Sequence, residues 1–158
     1  MKPVFQEIID PNKGDCFSAC LASILECNLA DIPKFAQRDG DLSKVNDWLT
    51  ERGLAMVSFK LPLRRNFAFG VMTSKTYAIA GYKSPTFKNS VHAVVVEIER
   101  GGSRITVAHD PNPNTKQVTG YPFIVYVLTV ADIGKYQFVR PQCTGKSSKR
   151  LLNEYGLY

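Results

Sequence analysis

Two textures divide the chain. In CFSACLASILEC the apolar positions Cys20, Leu21, Ile24 and Leu25 recur at helical spacing, which predicts a helix with one buried face. Asp15 stands as its N-cap, and the helix should end near Cys27 or Asn28. Pro33 in LADIPKF prevents a long helix there. DLSKVNDWLTERG reads as a second helix with Ser43 as cap, Val45, Trp48 and Leu49 facing inward, and Gly53 as the stop. From Leu54 the period shortens to strand-like runs: AMVSFKL, FAFGVM, TYAIAGY, VHAVVVEIE, RITVAHD and YPFIVYVLTV. An apolar opening strand, Val4 to Ile9, precedes the turn cluster DPNKGD. Helices first and a mostly antiparallel sheet second make an α+β domain.

One hairpin stands out, because ERGGS between the fourth and fifth runs carries two glycines able to take positive φ. Its length sets which residues face each other. A three-residue loop at Arg100–Gly102 places His92 directly opposite Asp110, with Cβ atoms ~4.5–5.5 Å apart. A two- or four-residue loop puts Asp110 opposite Ala93 instead, and a bulge or strand twist is then required to bring it to His92.

At 158 residues the chain suits one domain, expected over residues 1–139, with a basic tail at 140–158. The 44% hydrophobic content excludes disorder as the default. MKPVFQEIID lacks the apolar core of a signal peptide and no run is long enough to span a membrane, so a cytoplasmic location without membrane contact is expected. Free thiols follow from that compartment. The C-x3-C-x6-C spacing of Cys16, Cys20 and Cys27 matches no usual zinc pattern, and neither a metal nor a cofactor is expected. Net charge is +6, with 6 Lys+Arg against 9 Asp+Glu in residues 1–53 and 14 against 5 thereafter. That basic second half is compatible with nucleic acid, but no recognised binding motif accompanies it.

Cys16 falls in the first turn of the first predicted helix, where the helix dipole and unpaired N–H groups favour a thiolate. A nucleophilic cysteine also needs an imidazole, and the chain has only His92 and His109. His92 is the candidate base and Asp110 the carboxylate that orients it. Each residue alone has an ordinary structural reading: a buried helix cysteine, a strand end, a turn former before proline. All three together point to acyl chemistry.

GDCFSACLASIL, followed downstream by HAVVV and HDPNP, resembles the papain-like cysteine peptidase superfamily. More closely it is similar to the compact branch of double-glycine leader peptidases from bacteriocin exporters, and to stand-alone phage and bacterial proteins with GDCFxAC, a central SP and HAVV…HDPxP. GYKSPTF at 81–87 supplies the SP. The resemblance covers residues 6 to about 114 and implies a papain-like fold with Cys16 as nucleophile, His92 as base and Asp110 as orienting acid. It also implies Gln6 as the oxyanion donor beside the Cys16 N–H. Ten residues separate Gln6 from Cys16, more than in the exporter peptidases, and Asn12 is a rival donor. No transporter segment is attached, so leader cleavage does not follow.

The expected function is therefore a cysteine-dependent hydrolase acting on a peptide or protein through a thioester; the same atoms serve acyl transfer and deamidation. A competing reading is a non-catalytic binding or inhibitor module, phage-encoded and working in a host cytoplasm. Oligomeric state is not legible.

Overall fold

The structure is a computed structural model and describes residues 1–35, 42–61, 74–102, 104–114 and 118–131. Two helices, α1 (Cys16–Leu25) and α2 (Leu42–Thr50), precede five strands: β1 (Leu54–Lys60), β2 (Thr76–Lys83), β3 (Val91–Ile98), β4 (Ile105–His109) and β5 (Ile124–Val130). The strands form one sheet in the order β1-β5-β2-β3-β4 with every pairing antiparallel. The expected α+β architecture is thus present. The FAFGVM run and the basic tail lie outside the described residues. Among the described residues, no helix is long and apolar enough to cross a membrane.

Helix α1 is buried all round rather than on one face, since every residue from Cys16 to Ser23 is inaccessible or nearly so. Its apolar side chains meet Ile79, Ala93 and Val95 of the sheet, and Phe17 sits edge-on to Tyr126 at 5.3 Å. Its two serines are buried but satisfied. Ser18 Oγ donates to Pro33 O at 3.0 Å; Ser23 Oγ donates to Ala19 O at 2.8 Å and accepts from Val4 N at 2.9 Å. Unbonded, each hydroxyl would cost about 1–3 kcal/mol. The helix closes with Glu26 in the left-handed region at φ 57°, one to two residues before the expected end.

Two expectations at element ends need correction. Ser43 lies inside α2, which starts at Leu42. Val4 to Ile9 is no strand: its N–H groups go to Ser23 Oγ, to Pro111 O and to the Asp15 carboxylate instead of a neighbouring strand. Helix α2 docks on β1 through buried Val45 and Leu49. Asn46 fixes that docking by accepting from Met56 N (2.6 Å) and donating to Met56 O (3.1 Å). Gly53 takes φ 70° in the turn before β1, as a helix-terminating glycine should.

The β3–β4 hairpin departs from the three-residue loop. Ile98 pairs with Ile105 and Glu99 N donates to Arg104 O at 3.0 Å, so paired residues sum to 203 rather than the 202 of a three-residue loop, and Glu99 and Arg104 close the turn, with Gly101 and Gly102 at φ 74° and 68°. Val96 pairs with Val107, yet Val95 pairs with His109. Ala108 is therefore the extra residue of a β-bulge. With the bulge counted, Asp110 falls in step with even-numbered β3 residues, His92 among them; without it Asp110 would match Ala93. His92 and Asp110 are not directly opposed, but the bulge gives them the same parity.

Candidate active site

Cys16 is the first residue of α1, and Asp15 occupies the N-cap position without making a side-chain capping bond. Cys16 therefore stands at the helix N-terminus, the end where first-turn N–H groups have no intrahelical partner. At the start of β3, His92 Nε2 lies 2.7 Å from Asp110 Oδ1. The imidazole also shares a hydrogen bond with Cys16. All three candidate residues meet at one point, with Cys16 5% and His92 6% exposed.

Asp110 has two tasks on one oxygen. Its Oδ1 also accepts from Asn112 N at 3.0 Å, and Asn112 Oδ1 accepts from Asn114 N at 3.0 Å. The DPNPN segment is thus a nested Asx turn, and the turn holds the carboxylate toward the imidazole. His109, next in the chain to Asp110, is turned elsewhere: its Nε2 meets Val4 O at 2.8 Å and its ring packs edge-on against Phe5 at 5.1 Å.

Burial opposes a charge on His92, yet the hydrogen bonds to Asp110 and Cys16 outweigh it and push the pKa up to about 9. The folded protein therefore holds the proton more tightly than the unfolded chain, whose His titrates near 6.5. That contribution to stability is complete below pH 6.5 and is lost as the pH rises through 9. Urea unfolding should show a decline of at most about 3 kcal/mol across this window, and His92→Ala should flatten it. A wild-type profile already level across the window would contradict the linkage.

The three described cysteines, Cys16, Cys20 and Cys27, take part in no disulfide among the described residues; Cys143 lies outside them. Burial pushes the Cys20 thiol well up, with Cys16 and Asp110 adding to the effect, so it is chemically quiet. Cys27 is raised by burial and by Asp31.

Gln6 comes to the site, though not in the pose of a free donor. Its backbone N donates to Pro111 O at 2.9 Å, beside Asp110. Its Nε2 donates to Ile8 O at 3.0 Å, which leaves one amide hydrogen for another acceptor; its Oε1 is buried with no partner. Asn12 is exposed, and its backbone N–H is held in a turn by Asp10 Oδ1 at 2.7 Å.

No protein-family model, curated protein or solved structure matches this chain. Two features here had no signal in the sequence. Asp15 reads as an ordinary cap, yet its carboxylate accepts from Ile8 N (3.0 Å) and Glu7 N (3.4 Å). The Pro111 carbonyl is a partner that no side-chain pattern announces. In the basic second half, Lys75 is paired with Glu97 at 2.6 Å.

Proposed function

We propose that this chain is a papain-like cysteine hydrolase acting on a peptide or protein acyl group. The observation that carries the reading is His92 hydrogen-bonded to both the Asp110 carboxylate and the Cys16 thiol at the start of a helix. With Nε2 on Asp110, Nδ1 is the nitrogen left to exchange a proton with Cys16. The thiolate adds to the substrate carbonyl, and the N–H of Cys16 with the Gln6 amide receives the developing oxyanion. His92 then protonates the leaving amine as the C–N bond breaks and a thioester remains. Water, deprotonated by His92, attacks the thioester; the acid departs and Cys16 leaves as thiolate. Replacing water by an amine turns the same steps into acyl transfer.

The sulfur is largely covered, so a small electrophile is the appropriate probe. Iodoacetamide at pH 6.5 should alkylate Cys16 at least about tenfold faster than Cys27, while Cys20 stays unmodified, because rate follows thiolate fraction and access. Peptide mapping by mass spectrometry reads all three rates. Cys16 reacting no faster than Cys27 would sink the hydrolase reading.

A further inference from the structure

Asp15 is 3% exposed, immediately precedes Cys16, and leaves the helix end uncapped by its side chain. A buried carboxylate at an N-cap ordinarily accepts from the first helical turn. Here both oxygens turn outward to the 4–9 segment, Oδ1 to Ile8 N and Oδ2 to Glu7 N. The Asp15 backbone N donates in return to Ile8 O at 3.4 Å. The Ile8 peptide is thereby gripped on both sides, and its carbonyl is the atom that receives Gln6 Nε2. On the other flank, Gln6 N is tied to Pro111 O. One continuous set of bonds runs from the residue preceding the nucleophile, through the Ile8 peptide, to the Gln6 amide.

We propose that Asp15 is a positioning residue that holds the Gln6 amide in place as oxyanion donor, a role that rests on the hydrolase reading above. Asp15 does not touch the substrate. It acts by fixing the Ile8 carbonyl, which fixes one hydrogen of Gln6 Nε2 and so aims the other. A donor fixed in advance needs no reorganisation when charge appears on the carbonyl oxygen, and that is what makes such donors effective. The carboxylate suits this task because it accepts from two backbone N–H groups at once, where serine or asparagine would offer one oxygen.

The test separates two reactions of the same sulfur. With 4-nitrophenyl acetate, the Cys16 S–C bond forms, the carbonyl electrons move to oxygen, and they return as 4-nitrophenolate leaves; an oxyanion is obligatory. Iodoacetamide displaces iodide at a saturated carbon and forms none. Asp15→Ala should slow the nitrophenolate burst about 10- to 100-fold, the range of a lost or misplaced oxyanion donor. Its iodoacetamide rate at Cys16 should stay within about threefold, since the thiolate–imidazolium pair is untouched. Gln6→Ala should behave alike, and the double variant should be no slower than Gln6→Ala alone, because both changes remove one device.

If Asp15→Ala does not fold, Asp15→Asn keeps the Oδ1 acceptor but turns an NH2 toward Glu7 N–H, and a selective burst loss of about 3- to 10-fold is expected. Equal losses in both reactions, multiplying effects in the double variant, or an unchanged burst in either folded variant would overturn the positioning role alone. Absence of selective Cys16 alkylation in the unaltered protein would remove the hydrolase reading and this role together.

Discussion

His92→Ala should slow acylation of Cys16 by about 10²- to 10⁴-fold, while His109→Ala should retain activity within about fivefold. The contrast follows from where the two rings go. His92 lies between the thiol and a carboxylate; His109 spends its Nε2 on the Val4 carbonyl. Removing His92 takes away both the proton acceptor and the cation that steadies the thiolate. Removing His109 leaves a carbonyl without its donor and loses the Phe5 contact, so the expected deficit is stability of about 1–2 kcal/mol. Burst kinetics and thermal unfolding of each variant read both effects. A folded but inactive His109→Ala protein beside an active His92→Ala protein would overturn the assignment of the base.

Asp110→Asn should lose about tenfold in acylation rate, and Asp110→Ala about 10²-fold or more. Asparagine keeps an oxygen for both His92 Nε2–H and Asn112 N–H, so geometry survives and only the charge is lost. With less support for the imidazolium, iodoacetamide alkylation of Cys16 should rise at higher pH than in the unaltered protein. The stability decline between pH 6.5 and 9 should also become shallower, since the hydrogen bond from Asp110 is the foremost of the causes that raise His92. Alanine removes the turn bond from Asn112 N as well, which adds about 1–2 kcal/mol of instability. Superimposable alkylation curves for all three proteins, with stability lost only in the alanine form, would reduce Asp110 to a turn residue.

The constellation was legible because its residue types are scarce and well separated. Two histidines leave little choice, and a cysteine opening an apolar helix stands out from Cys20 within the same apolar pattern. Strands β2 and β3 were equally plain, since Ala78 to Tyr82 and Ala93 to Val96 are unbroken runs without a charged residue, suited to strands buried on both sides. Three things escaped. Periodicity shows which face of α1 meets the sheet, but not that Val4 and Pro33 cover its serines from other sides. The apolar character of Val4 to Ile9 was correct as a burial signal and wrong as a strand, because its partners are a hydroxyl, a carboxylate and a proline carbonyl. Ala108 carries no chemical mark of a bulge, so the register near Asp110 could be narrowed to two arrangements and not to one.

The bulge also divides the hairpin into regions of unequal tolerance to length change. The turn that Glu99 and Arg104 close lies beyond the last β3–β4 pair, Ile98 with Ile105, and can gain or lose residues while the ladder on the site's side keeps its alignment. Between Val107 and His109 no such slack exists. One residue gained there, with the bulge still taking up only one, exchanges the sides to which His109 and Asp110 are delivered, setting an imidazole in the carboxylate's place and a carboxylate against the Val4 carbonyl, whereas loss of Ala108 removes the bulge and leaves His109 opposite Val95. Within one short hairpin, length changes should therefore accumulate at the turn during divergence, while insertions a few residues away should be purged.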